Sequence, residues 1–275
     1  MALAYAEVIG DPIAHSRSPE IHNRWLGALG MAGEYVATHV PRERLEEHLA
    51  LRRPDPAWRG CNVTIPHKQA VIPLLDEIDE GARAIGAVNC VAREGGKLVG
   101  SNTDVDGIAA ALAATAIEDS KVAVIGAGGG ARAALHYLGQ RRARQVILLV
   151  RDPEKAGSLR SDGGGPPILV RRLDDCAGAI EGVRAVVNAS PLGMKGAAPM
   201  PPPLLGLLAA HAAGATFFDM VYSPLETEFL AVARAGGATT VDGLTMLVGQ
   251  ARCAFERLFG RSPPRDDHLR DLLAT

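Results

Sequence analysis

Residues 121–135 read KVAVIGAGGGARAAL, and this stretch constrains the chain more than any other. A continuous apolar run of this kind is the mark of a strand buried on both faces of a parallel sheet. It enters a glycine-rich turn and leaves as an alanine-rich helix, and Gly126, Gly128 and Ala131 fit G-x-G-x-x-G/A. Gly126 permits the tight turn, Gly128 lets the backbone approach a pyrophosphate, and Ala131 allows helix and sheet to pack closely. Ala127, Gly129 and Gly130 complete a turn whose helix N-terminus attracts phosphate. Glycines in such turns can also be purely structural, but a second apolar run, QVILLV at 145–150, follows at the right distance. The expectation is a dinucleotide site.

The end of that second strand selects the cofactor, because an acid there suits the ribose 2′-hydroxyl of NAD and an arginine the 2′-phosphate of NADP. Val150 stands at the position, followed by Arg151, Asp152, Pro153, Glu154 and Lys155. Arg151, with Lys155 one turn on, favours NADP; the Asp152 carboxylate keeps NAD open, or simply caps the helix ahead of Pro153.

Alternation extends this unit in both directions. Strands are expected at 121–125, 145–150, 168–171, 184–188, 215–219 and 238–241, separated by helical stretches, which is the pattern of a doubly wound sheet. Before residue 103 a second alternation reads as strand 5–9, helix 19–29, strand 34–40, helix 42–51, strand 60–65 and helix 67–76, then a hairpin turning at Gly95-Gly96. Helices at 243–259 and 264–273 follow the last strand. The fold class expected is therefore α/β, with two α/β domains and a cleft between them. Residues 1–103 form a substrate domain completed by 243–275, and 104–242 a Rossmann-like dinucleotide-binding domain. A length of 275 residues suits about two domains of roughly 100–200 residues each.

A formal charge of −2 offers no electrostatic footprint for nucleic acid or an anionic membrane. Cys61, Cys90, Cys176 and Cys253 show no CxxC pair and no metal-ligand spacing, so reduced thiols in a cytoplasmic protein are expected, with no metal. The opening MALAYAEVIGD has no basic region ahead of an apolar one, so neither a signal peptide nor a membrane span is expected.

Outside the nucleotide pattern, polar residues cluster in short stretches. GDPIAHSRSPEIHNRW at 10–25 carries Ser16 and Ser18 before Pro19, where Ser18 reads as a helix cap. NVTIPHK carries Asn62, Thr64 and Lys68, GAVNC carries Asn89, SNTDVDG carries Asp104, and VDGLTMLVGQA carries Gln250 on an otherwise apolar helix. Each alone is explained by capping, by a buried amide satisfying backbone, or by a solvated lysine.

Together, and in this order with GAGGGARAAL, VVNASPLGM and DMVYSPLETEFL, they resemble the successive motifs of the shikimate dehydrogenase family from residue 9 to about 259. The resemblance implies reversible, NADPH-dependent reduction of 3-dehydroshikimate to shikimate in aromatic amino acid biosynthesis. It implies that Lys68 and Asp104 are the catalytic pair, Lys68 transferring the proton or only orienting and stabilising. Ser16 and Ser18 are implied to bind the substrate carboxylate with Thr64 nearby, Asn89, Asp104 and Gln250 the ring hydroxyls, and Tyr222 the mouth of the site. Asn188, Ala189 and Ser190, with Met246, match the nicotinamide side, and Val221 and Gly243 are implied to bind the cofactor. The family commonly shows Asn-Arg-Thr or Asn-Arg-Ser where this chain has Val150-Arg151-Asp152, so an NAD-dependent quinate/shikimate dehydrogenase is one alternative. A non-catalytic regulatory relative is another, and a lysine-dependent lyase a third, although the last leaves the glycine pattern unexplained. The partners implied are a small-molecule substrate and, at most, a second copy of the chain: a monomer or homodimer.

Overall fold

The computed structural model describes residues 3–154, 156, 159, 165–266 and 268–273. The chain divides into two units, Met1–Gly107 with Leu247–Thr275, and Ile108–Met246.

The first unit is built on a six-stranded sheet of β1 (Ala4–Gly10), β2 (Gly33–His39), β3 (Trp58–Val63), β4 (Glu77–Ile78), β5 (Cys90–Glu94) and β6 (Lys97–Ser101), ordered β2-β1-β3-β5-β6-β4. β1 runs parallel to both β2 and β3, whereas β3, β5 and β6 are antiparallel neighbours. The β5–β6 hairpin turns at Gly95-Gly96, as its sequence predicts. Ile9, Trp58, Val63, Val88, Val91 and Leu98 share one apolar cluster with Leu45 and Leu49, the latter two from α2 (Leu45–Arg52). On the other face Ala6, Val8 and Tyr35 pack with Ala254 and Leu258, which belong to α8 (Gly243–Phe259).

One charge is buried in this sheet. Glu7 of β1 is fully inaccessible and accepts from Thr38 Oγ1 at 2.6 Å, Arg52 Nε at 2.8 Å, Trp58 Nε1 at 2.9 Å and His48 Nε2 at 3.1 Å. Burial opposes its ionisation, but the bonds from His48, Arg52 and Thr38 outweigh that cost and hold its pKa down at about 2.

The second unit carries six parallel strands: β7 (Lys121–Ile125), β8 (Gln145–Val150), β9 (Ile168–Arg172), β10 (Ala185–Asn188), β11 (Thr216–Asp219) and β12 (Thr239–Val241). Their order, β12-β11-β10-β7-β8-β9, reverses direction at β7, which is the doubly wound topology. α5 (Gly129–Gln140), α6 (Pro202–Ala210) and α7 (Glu228–Ala235) cover the sheet. Ile125, Ile147, Leu149 and Val186 meet Leu204, Leu208, Phe229 and Leu230 in its core. The chain passes from the first unit to the second within α4 (Asp104–Ala111) and returns within α8. Among the described residues no helix is long and apolar enough to cross a membrane.

Four local expectations are corrected. The helix expected over 67–76 is a series of turns with a single 3-10 turn at Ile72–Leu74; Pro73 falls inside that span, where it removes a helical donor and crowds the preceding turn. Ser18 does not cap α1 (Ser18–Ala28). Arg17 is the capping residue, without a side-chain bond, and Ser18 is the first helical residue. The last helix is shorter than 264–273, spanning Leu269–Leu273; Pro263 and Pro264 lack a backbone N–H, and each disfavours helix in the residue before it. A short helix, α3 (Glu80–Ile85), falls where none was expected, capped by the Asp79 side chain and closed by Gly86 in the left-handed conformation.

Candidate active site

In the first unit the polar motifs converge at one end of the sheet. β1 and β3 are parallel neighbours, with Ile9 paired to Val63, so the segments after them emerge side by side. They are tied together: Thr64 N donates to Ile9 O at 3.0 Å and Asp11 N to Ile65 O at 3.0 Å. Gly10 leaves room for this close approach, since a Cβ would lie 2.6 Å from Thr64 Cγ2 and 3.0 Å from Ile65 O. The segment bearing Lys68 is anchored on both sides, by His67 Nε2 donating to Val40 O at 2.6 Å and by Val88 N donating to Lys68 O at 2.8 Å.

Lys68 Nζ donates to Asp104 Oδ2 at 2.5 Å, with the side chains only 16% and 5% exposed. The other carboxylate oxygen, Oδ1, accepts from Asn89 Nδ2 at 2.9 Å. Asn89 cannot turn over, because its Oδ1 accepts from Thr103 N at 2.7 Å while its Nδ2 also reaches Thr103 Oγ1 at 3.0 Å. Its carbonyl is held as well, by Val63 N at 2.8 Å and Asn62 Nδ2 at 3.1 Å, and Asn62 in turn accepts from Tyr35 OH at 2.7 Å. Asp104 opens α4, where a carboxylate suits the helix dipole, and its own N–H is capped by Asn102 Oδ1 at 3.0 Å. Gln250 joins the cluster through Thr103, whose Oγ1 lies 3.4 Å from Gln250 Oε1, while its amide nitrogen donates to Leu247 O at 3.1 Å. The arrangement fixes an ammonium and a carboxylate in one orientation, able to hold or release a proton at Nζ.

The two serines lie in the turn after β1. Ser16 Oγ accepts from Ser18 N at 3.3 Å, and Ser18 is buried. Ser16, Ser18, Thr64, Lys68, Asn89, Asp104 and Gln250 thus all belong to the first unit.

The second unit holds the rest. Gly126 follows β7 with φ 111°, and a Cβ there would meet Ala189 O at 2.9 Å, so only glycine fits. Gly128 has open space beside it and precedes α5, whose start lacks a side-chain cap, leaving backbone N–H groups for an anion. Gly129, Gly130 and the buried Ala131 form the first turn of α5 beside Ala127. Arg132 comes next in that turn, where a cation opposes the helix dipole unless an anion sits there, and burial lowers its pKa. Arg151 is exposed at the end of β8, and Asp152 Oδ1 accepts from Glu154 N at 3.1 Å, closing a local turn. Lys155 lies outside the described residues.

Asn188, Ala189 and Ser190 lead out of β10. Val221 and the half-buried Tyr222 come after β11, and Gly243 and the buried Met246 stand in the first turn of α8. Gly243 touches this loop directly: a Cβ would lie 2.6 Å from Val221 O and 2.7 Å from Met220 O. Sequence reasoning missed Tyr35, Asp219 and Thr227. The signal for Asp219 was present, a carboxylate closing the apolar strand TFFD.

Residues 8–91 match the family model described as the shikimate dehydrogenase substrate binding domain, 109–191 that of shikimate / quinate 5-dehydrogenase, and 243–267 that of the shikimate 5'-dehydrogenase C-terminal domain. A protein of Sphingopyxis alaskensis named shikimate dehydrogenase (NADP(+)) is 48% identical over 99% of this chain and 97% of its own length. The chain belongs to the shikimate dehydrogenase family. Two solved members share its fold. The Thermus thermophilus shikimate 5-dehydrogenase, in complex with NADP(H) and shikimate, is 33% identical with a TM-score of 0.82, covering 99% of this chain and 98% of that one. The Listeria monocytogenes shikimate 5-dehydrogenase, in complex with shikimate and NAD, is 28% identical with a TM-score of 0.84, covering 98% and 96%.

Proposed function

We propose that this chain is a shikimate dehydrogenase, interconverting 3-dehydroshikimate and shikimate with NADP as coenzyme. The observation that carries the reading is the Lys68–Asp104–Asn89 cluster, an ammonium held at 2.5 Å on a carboxylate that is itself fixed. Binding alone does not require such a pair, which speaks against a non-catalytic relative.

NADP would supply or take up the hydride. Reducing the ketone puts negative charge on its oxygen. The Lys68 ammonium stabilises that charge and delivers a proton from Nζ to the oxygen; in the reverse direction Nζ takes the proton back. Asp104 Oδ2 orients the ammonium, and Asn89 holds the carboxylate. Assistance of this kind is worth about 10²–10⁴-fold. Ser16 and Ser18 take the substrate carboxylate, with Thr64 beside it. Asn89, Asp104 and Gln250 take ring hydroxyls, and Tyr222 is assigned to the substrate as well. A polyhydroxylated ring needs many directional partners, since each one left unpaired on burial costs about 1–3 kcal/mol.

The glycine turn before α5 fits the coenzyme pyrophosphate: it has an open N-terminus, no side chain over Gly128 and an arginine in the first turn. Gly126, Ala127, Gly128, Gly129, Gly130 and Ala131 would line it, with Asn188, Ala189, Ser190, Val221, Gly243 and Met246 toward the nicotinamide. Arg151 would hold the 2′-phosphate. The Asp152 carboxylate already accepts from Glu154 N, which favours NADP. NAD is the second reading, because the Listeria relative was solved with it. The reading includes a monomer or homodimer in the cytoplasm, and the four free cysteines suit that reducing compartment.

The test is to mix the protein with shikimate and NADP or NAD in separate cuvettes and measure nicotinamide reduction. A strong preference for NADP is expected. Preference for NAD assigns Asp152 to the ribose, and no reduction with either removes the dehydrogenase reading.

A further inference from the structure

The ends of β10 and β11 are cross-linked by a carboxylate to which nothing above gives a role. Asn188 and Asp219 are paired residues on these neighbouring parallel strands, and both are completely buried. Asp219 Oδ1 accepts from Asn188 Nδ2 and from Val221 N, each at 2.9 Å. Asp219 Oδ2 accepts from Thr227 Oγ1 at 2.6 Å. All three partners are uncharged, and burial pushes the Asp219 pKa up to about 6.

Each partner governs a different piece of backbone. Asn188 Oδ1 accepts from Ser190 Oγ at 2.7 Å and Ser190 N at 3.2 Å, and its Nδ2 also donates to Leu192 O at 3.1 Å, which sets the loop after β10. Val221 begins the loop after β11, and its carbonyl presses on Gly243. Thr227 Oγ1 accepts from Leu230 N at 3.3 Å, capping α7. The backbone ladder runs one residue past each strand, with Ala189 N donating to Ile125 O at 2.9 Å and Met220 N to Asn188 O at 3.0 Å, and from there the Asp219 network adds side-chain bonds that tie both loops to one carboxylate. A carboxylate suits the task because it is acceptor-only, with about four lone-pair sites on two oxygens.

We infer that Asp219 and Thr227 are positioning residues for the nicotinamide half of the coenzyme site, fixing the 188–192 and 219–227 loops without touching the coenzyme. The inference rests on the coenzyme reading of Asn188–Ser190, Val221, Gly243 and Met246 proposed above.

The experiment uses two probes on the full chain. NADP⁺ needs both halves of the site, and 2′,5′-ADP needs only the adenosine half; affinities for both are measured by calorimetry, with thermal midpoints alongside. Thr227→Val removes the hydroxyl at constant shape, and Asp219→Ala removes the hub; either variant that folds is sufficient. Each is expected to weaken NADP⁺ about tenfold while 2′,5′-ADP changes less than twofold. Thr227→Ser keeps the hydroxyl and is expected to restore NADP⁺ affinity. Equal weakening of both probes, or unchanged NADP⁺ affinity, overturns the inference and leaves the pair a structural role only. A parent protein that binds 2′,5′-ADP but takes up NADP⁺ no more tightly removes the nicotinamide side itself. A parent that binds neither probe removes the coenzyme reading and the inference with it.

Discussion

Two carboxylates, one in each unit, are built on the same plan and finished differently. Asp104 and Asp219 each accept an asparagine amide at 2.9 Å on Oδ1. In each case that asparagine is held at the end of a strand or next to one. The contrast is on Oδ2. Asp104 meets the Lys68 ammonium there at 2.5 Å, whereas Asp219 meets the Thr227 hydroxyl at 2.6 Å. One buried carboxylate is given a cationic partner, to which the proposed reaction assigns proton exchange with the substrate. The other is given neutral donors that can only hold loops in place. The chemical use of a buried acid is thus set by its second oxygen.

The largest test of this contrast is Lys68→Ala. Turnover is expected to fall about 10²–10⁴-fold, while shikimate affinity, read by calorimetry, changes only a few-fold. Near-parental kcat would dissolve the distinction between the two carboxylates.

Glu7 supplies a third case, buried like Asp219 but paired with Arg52. Arg52→Met takes the guanidinium from that carboxylate, leaving His48, Trp58 and Thr38, and is expected to destabilise the protein by about 3 kcal/mol in urea unfolding. The pH dependences should also oppose each other. Glu7 has a folded pKa of about 2 against 4.5 unfolded. Its contribution is therefore complete above pH 4.5 and lost as pH falls toward 2. Asp219 is raised from 3.8 to about 6, so the folded form binds the proton more tightly. The stability it contributes is complete below pH 3.8 and is lost as pH rises through 6, a change of about 3 kcal/mol. Carboxyl ¹³C titration should locate the two groups, and Asp219→Asn should remove the part of the slope between pH 4 and 6 that Asp219 contributes. Coincident titration of Glu7 and Asp219 would show that the counter-ion does not matter.

The smallest effect is expected at the surface, where Glu118 and Arg142 pair with side chains 65% and 77% exposed. Glu118→Gln should leave the urea midpoint unchanged, since water and salt already screen such a pair.

Legibility in the sequence divides along the same line between near and far. The glycine turn, the parallel strands and the β5–β6 hairpin are written in contiguous residues, and spacing alone predicts them. The ordered motifs also draw attention to Lys68, Asn89 and Asp104, although the residues do not say that Asn89 bridges the carboxylate and Thr103. Misreadings arise where a local rule is ambiguous. Ser18 before Pro19 satisfies the cap pattern, yet Arg17 occupies the capping position. The stretch 67–76 has helical composition, but Pro73 breaks it. Asp219 escapes notice for a different reason. Its partners Asn188 and Thr227 lie 31 and 8 residues away, and no periodicity records a bond made across neighbouring strands.

The split of the first unit across the sequence has a consequence for the newborn chain. Residues 108–246 form one unbroken stretch, whereas the unit that holds Lys68 and Asp104 also requires residues 247–275. Ala254 and Leu258, which complete the core over Ala6, Val8 and Tyr35, are still untranslated when the parallel sheet has all its strands. Domains fold as units during synthesis and normally from the N-terminus forward. Here the sequence order crosses the structural one: residues 1–107 cannot bury that face of their sheet until residues 247–275, which follow the whole of the second unit, are available.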